Sequence, residues 1–187
     1  MRARDWVLAG GLYVAACSAS AGHQSVAPEQ VTIEDGDTLQ VTVAGMDYRI
    51  QLPDIDAPEN VVNPKLQRDV GRTGLPPEAL LPLGERAADG LHAMLPAFRP
   101  YRLVFDPGVT DRYGRTPGDL LDADGDTLSL RLVEAGYALP SRPATGRAAG
   151  LEAAAEAARA ANLGLWRWHP DIMRAWAVVS MQPTRSR

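Results

Sequence analysis

From Val31 to Leu52 the chain alternates apolar and polar residues in three short runs, "VTI", "LQVTV" and "YRIQL", each cut off by a turn. Period-two patterning puts successive side chains on opposite faces of an extended strand and cannot present a continuous apolar stripe on a helix. The first separator, "EDGDT", carries Asp-Gly as a hairpin turn requires, and the second runs from Ala44 to Asp47. Three strands in a meander follow. A meander brings the end of its third strand back beside its first turn, so the acids that come next, in "QLPDIDAPEN" (Gln51 to Asn60), are delivered towards Asp37.

Asp54, Asp56 and Glu59 stand among prolines in that stretch, and by themselves they describe an ordinary loop, because Asp and Pro end strands and open turns. A catalytic reading needs further acids for a cation and cations for an anionic substrate. Composition restricts which cation. The single cysteine, Cys17, excludes an intrachain disulfide, and His23, His92 and His169 are too widely spaced to act as zinc ligands, so a metal here is held by oxygen. A formal charge of −4 excludes a protein that coats nucleic acid through a broad basic surface, but leaves room for a local anion site.

The N-terminus reads as an export signal. Arg2 and Arg4 precede an uncharged run from Trp6 to Ala16, shorter than the ~20 residues a membrane-spanning helix needs. "VAAC" (Val14 to Cys17) resembles the lipobox of bacterial lipoproteins, which makes Cys17 the lipidated first mature residue; cleavage near "ASA" (Ala19 to Ala21) is the rival. Residues 1–17 are therefore assigned as signal peptide, and 18–30, small, polar and aperiodic, as a flexible tether. The protein is expected to be exported to a bacterial cell envelope, lipid-anchored or periplasmic to extracellular, and monomeric.

Downstream, 60–83 is rich in Pro, Gly and charge and reads as a long loop. "GERAADGLHAML" places Ala87, Leu91, Met94 and Leu95 at helical spacing. "YRLVF" (Tyr101 to Phe105) is a fourth strand, and a short fifth passes through Asp119 to Leu121. "DTLSLRLVEAG" begins a helix with Asp126 or Thr127 as cap and ends it at Gly136, and "GLEAAAEAARAANLG" is an alanine-rich third helix. This order suits an α+β domain over 31–168 built on a five-stranded OB-type barrel with three helices, followed by a tail, 169–187. Trp166, Trp168 and Trp176 read as packing of the last helix and tail.

One segment nearly repeats, "DGDTLQV" at Asp35 and "DGDTLSL" at Asp124. The second fails as an EF-hand loop, because Gly125 is fourth rather than sixth counting from Asp122, and reads as a turn and helix cap.

Six motifs, "DGDT", "IDAPE", "GERAADGL", "DRYGR", "LVEAGYA" and "LGLW", stand in the order in which the staphylococcal-nuclease-like (thermonuclease) family carries them. The chain resembles that family from about Val31 to Trp168. The resemblance implies an OB barrel, Ca²⁺ as cofactor and hydrolysis of phosphodiester bonds in single-stranded or locally open DNA or RNA. It assigns Asp37, Asp56 and the carbonyl of Ala57 to calcium, Glu59 to the attacking water and Arg115 to the phosphate, with Arg112 and Tyr113 facing substrate. Calcium takes carboxylates and carbonyls, and a guanidinium offers paired donors to a growing phosphate charge, so the residue types suit the chemistry. Taken singly, each has a simpler explanation as a turn or a surface ion pair.

Three departures accompany the match. The family's second arginine, five residues before the metal-binding aspartate, is Gln51 here, and Arg49, two residues back on the same strand face, is the candidate substitute. Past "AGYA" the family's tyrosines are absent from "LPSRPATGR". Arg68 and Arg72, in the long 60–83 segment, are either further phosphate contacts or charges of a solvated loop. Two functions follow: an exported Ca²⁺-dependent nuclease weakened at Gln51, or a catalytically degenerate module that binds nucleic acid, another anionic polymer or an envelope protein.

Overall fold

The computed structural model describes residues 23–141 and 148–180. Cys17 and the signal segment lie outside them, as do Arg142 and Arg147. The three alternating runs form strands β2 (Val31–Ile33), β3 (Thr38–Val43) and β4 (Met46–Gln51), paired antiparallel in a meander. Strand β6 (Tyr101–Phe105) pairs with β7 (Arg115–Leu121), which runs parallel to β4. A short β5 (Ile55–Asp56) leaves the meander and pairs with β8 (Leu139–Pro140).

Two expectations are corrected here. The segment 18–30 is not tether throughout: His23–Val26 forms strand β1, antiparallel to β6, with Val26 buried, because the edge of β6 offers unpaired backbone groups that a polar strand can satisfy. Nor do the strands close into a five-stranded hydrogen-bonded barrel. The sheet has six strands in the order β1-β6-β7-β4-β3-β2, and its two edges are consecutive in sequence. Only Ala27 to Gln30, mostly a 3₁₀ turn, joins them. A linker that short spans at most about 18 Å. The sheet therefore rolls until its edges approach, and the chain itself bridges the gap.

The helical part exceeds the sequence expectation. The segment 60–83 is not a loop: α1 (Pro64–Thr73) starts inside it, and α2 (Pro77–Met94) begins well before "GERAADGL". Asn63 caps α1 by accepting from the N–H groups of Lys65 and Leu66, Pro64 occupies the first turn, and Gly74 closes the end in the left-handed conformation. The expected helices are α3 (Leu128–Glu134), capped by Thr127, and α4 (Ala148–Ala160). After the one-turn α5 (Leu165–Trp168), the supposed tail forms α6 (Pro170–Ser180), whose Met173, Trp176 and Ala177 are buried.

Leu39, Ile50, Leu52, Leu83, Leu91 and Leu103 are fully enclosed where the sheet meets α2, each contributing roughly 1.5–3 kcal/mol. Helix α6 packs on α1, and Trp176 donates its indole N–H to the buried Asp69 at 3.2 Å. Among the described residues no helix is long and apolar enough to cross a membrane.

Candidate functional site

The meander does what its pattern requires. The backbone N–H of Leu52 donates to the carbonyl of Asp37 at 2.9 Å, and that of Ala57 donates to Asp37 Oδ2, also at 2.9 Å. Asp37 thus holds the start of the acid stretch against the first turn, while its other carboxylate oxygen accepts from Thr38 Oγ1 at 3.0 Å. Only 7% of Asp37 is exposed. Burial, reinforced by the nearby charges of Asp35 and Asp56 and opposed by Lys65 and the Ala57 N–H, pushes its pKa up to about 8. Glu59 is equally enclosed, and α2 packs so closely on its backbone that a Cβ on Gly84 would lie 2.1 Å from its carbonyl. No larger residue fits at Gly84 without moving Glu59.

At the centre of these groups sits a residue that the sequence reading passed over. Lys65 Nζ lies 3.1 Å from Asp56 Oδ1, 3.0 Å from Glu59 Oε1, 2.9 Å from the Ala57 carbonyl oxygen and 3.6 Å from Asp69 Oδ2. Burial works against its charge, but Asp56, Glu59, Asp69 and Asp37 outweigh it and hold the ammonium pKa above the ordinary lysine value. Asn63, the cap of α1, also donates its side-chain amide to Glu59 Oε2. The signal was present in "NPK", since Asn followed by Pro marks a helix start; reading 60–83 as loop hid it.

The expected cations divide. Arg115 donates to Gln51 Oε1, and to Asp111 through Nε at 3.0 Å and Nη2 at 2.9 Å. The glutamine in the missing arginine's position thus steadies the arginine that is present. Arg49 does not replace the lost charge. It faces Arg115 across the β4–β7 ladder, yet its guanidinium forms a two-pronged pair with Glu34 and donates to the Tyr113 carbonyl at 3.1 Å, so it braces the loop. Two residues back on a strand gives the right face, but Glu34 claims the charge. Tyr113 is half exposed, with the guanidiniums of Arg112 and Arg115 lying 4.7 and 5.4 Å from its ring centre.

An open cleft of about 650 Å³ joins these parts, with Asp37, Asp56, Glu59 and Lys65 in its lining. Arg112, in the loop before β7, and Arg115, the first residue of β7, line it on one side, and Arg68 and Arg72 from α1, the last two exposed and without an ion pair among the described residues. Arg49 and Tyr113 are outside the lining. The cleft can accept an elongated polyanion, offering four guanidiniums around a carboxylate core.

A family model for staphylococcal nuclease homologues matches residues 49–168, more than half of the chain. The chain belongs to the staphylococcal nuclease homologue family. Two curated relatives agree in extent. The succinoglycan biosynthesis protein ExoI of Rhizobium meliloti (strain 1021) is 35% identical over 143 residues, covering 76% of this chain and 65% of ExoI, just under two thirds of that relative's length. Protein ParB of Escherichia coli is 34% identical over 158 residues, 79% of this chain and 76% of ParB. The family is normally Ca²⁺-dependent, and Asp37, Asp56, Ala57 and Glu59 do converge in this member. With Lys65 in place they do not fit the ion: calcium wants oxygens at 2.3–2.6 Å, and an ammonium occupies the point between Asp56, Glu59 and the Ala57 carbonyl. Among the described residues no group of three or more acids, histidines or cysteines is arranged to hold a metal.

Proposed function

We propose that the cleft binds the phosphodiester backbone of single-stranded or locally open DNA or RNA and hydrolyses it slowly. The observation that carries this reading is the placement of Glu59 in one cleft with Lys65 and Arg115. A phosphate held by Arg115 and Arg112 has its growing negative charge met by preorganised donors, which need not reorganise during the reaction. Glu59 takes a proton from water as the water oxygen bonds to phosphorus. The bond to the leaving oxygen then breaks, and that oxygen is protonated from solvent. Arg68 and Arg72 hold neighbouring phosphates of the strand. Membership of the nuclease family and the acid cluster both support this reading.

The missing arginine sets the rate. Losing one preorganised donor lowers a rate by about 10²- to 10³-fold, and an arginine in phosphoryl transfer is worth ~10³ to 10⁵. Gln51, together with the pairing of Glu59 to Lys65, favours a second reading in which the cleft binds strands without cutting them. Incubating a labelled single-stranded oligonucleotide with the protein and with Glu59→Gln and Arg115→Ala separates the two. Slow cleavage, reduced at least ~100-fold in both variants, is the expected result. Tight binding without cleavage selects the second reading, and neither binding nor cleavage refutes both.

The proposed site of action is the cell envelope, with a monomer anchored by lipid on Cys17; the support is the basic residues, short apolar run and "VAAC" of the N-terminus. Mass spectrometry of the mature N-terminus is expected to find acylated Cys17, whereas an unmodified start after Ala21 contradicts the anchor.

A further inference from the structure

Lys65 has three N–H donors, and each has an oxygen at hydrogen-bonding distance: Asp56 Oδ1 at 3.1 Å, Glu59 Oε1 at 3.0 Å and the Ala57 carbonyl at 2.9 Å. Asp69, one turn further along α1, adds a carboxylate at 3.6 Å, and the Trp176 ring centre is 5.7 Å from the ammonium. A surface lysine that folds by chance over an acidic patch is not held on so many sides. Two segments that the sequence reads as loop and tail explain the arrangement. Helix α1 supplies the lysine, and α6 clamps it through Trp176, which also bonds Asp69.

We propose that Lys65 is the resident cation of this site, standing where the family places calcium, and that the protein neither requires nor takes up a divalent ion there. The proposal rests on the reading of the cleft as a phosphodiester site only for its consequence, metal-independent action on the strand. Its structural content is separate. One positive charge replaces two, and it is delivered by the chain. The substitution removes dependence on ambient calcium and leaves Glu59 hydrogen-bonded to an ammonium, which donates hydrogen bonds but cannot coordinate and acidify a water as a metal does, in keeping with slow turnover.

The test is calcium binding that depends on Asp56, followed by calorimetry and by melting temperature up to about 10 mM calcium, the upper range of weak extracellular sites being near 1 mM. The wild-type protein is expected to show none. In Lys65→Met, which keeps the apolar stem and removes the charge, the uncompensated acids are expected to lower the melting temperature by about 10 °C, and calcium to restore most of it. That restoration is expected to vanish when Asp56→Asn is added. Asp56-dependent calcium binding by the wild type overturns the proposal. So does a folded Lys65→Met that takes up no calcium, because the ammonium would then not stand at a metal position. If Lys65→Met fails to fold, the wild-type titration decides alone. Oligonucleotide cleavage in parallel, with chelator or calcium, keeps the two readings apart. Cleavage that survives chelation agrees with Lys65, and cleavage that needs calcium overturns it. Absence of cleavage in both buffers counts against hydrolysis only, while the calorimetry still decides the occupant.

Discussion

The chain writes "DGDTL" twice, at Asp35 and at Asp124, and folds the two copies to different ends. In both, a local aspartate turns the chain: Asp35 Oδ1 accepts from the N–H of Asp37 at 3.0 Å, and Asp122 Oδ1 accepts from those of Asp124 and Asp126 at 3.0 and 2.9 Å. In both, the leucine is fully buried. The surroundings differ. The first copy is roofed by β5 and α2, so Asp37 is enclosed; the second lies at the surface, where Asp126 pairs with Arg131 and Thr127 caps α3. The glycines are needed for different reasons as well. A Cβ on Gly36 would meet Ala87 and Ala57 at 2.7 and 2.8 Å, whereas Gly125 has open space but φ +91°. A short motif encodes a turn, and what covers the turn makes it a site.

Exchanging the acids should give the largest contrast. Asp37→Asn is expected to reduce oligonucleotide cleavage up to ~100-fold by disturbing the carboxylate that accepts from the Ala57 N–H and holds the stretch carrying Glu59 in place, and Asp126→Asn to change it less than about twofold, since it touches only a surface ion pair. Stability should move the other way. Because folding raises Asp37 from 3.8 to about 8, the folded protein keeps a proton that the unfolded chain releases; its contribution is fully present below pH 4 and is lost as pH rises to 8. Denaturant melts are therefore expected to find Asp37→Asn stabilising relative to wild type, more at pH 8 than at pH 5. Asp122 behaves oppositely. Slight burial is outweighed by the Asp126 N–H, Arg131 and the Asp124 N–H, so its pKa is lowered and its contribution is lost as pH falls. Equal pH slopes in Asp37→Asn and Asp122→Asn would break the comparison.

The glycines come next in size. Gly36→Ala forces two alanines and the acid stretch apart and is expected to cost about 1–3 kcal/mol, with loss of cleavage. Gly125→Ala strains only its own backbone, at roughly 1 kcal/mol, with cleavage intact. Removing the cap with Thr127→Ala is expected to cost ~1 kcal/mol, again without effect on the cleft. Denaturation midpoints and cleavage rates measured side by side read all three.

Much of this was legible in the sequence. Alternation and Asp-Gly turns are local signals, and they gave the meander and the approach of Asp56 to Asp37. The cap at Thr127 was equally local. What stayed hidden depends on partners far along the chain. His23–Val26 has too little patterning to read as a strand, and only the edge of β6 makes it one. Helix α1 is polar along most of its length, and its buried face is Leu66 with Asp69, an acid made tolerable by Trp176 107 residues away. Lys65 was hidden for a nearer reason: its partners Asp56, Ala57 and Glu59 are close in sequence, but only the turn into α1 folds the lysine back over them. Arg49 was placed on the right face, but Glu34, in the first turn region, captures it.

An amide NMR titration of the intact protein with a single-stranded oligonucleotide tests the assignment of the cleft most directly, whether or not the strand is cut. The expected result is a set of saturable shifts at Asp37, Thr38, Ala57, Arg68, Arg72, Arg112 and Arg115, with Asp124 to Leu130 unmoved. Shifts that appear equally at both copies, or none at saturating oligonucleotide, would contradict the claim that only the first copy belongs to a phosphodiester site.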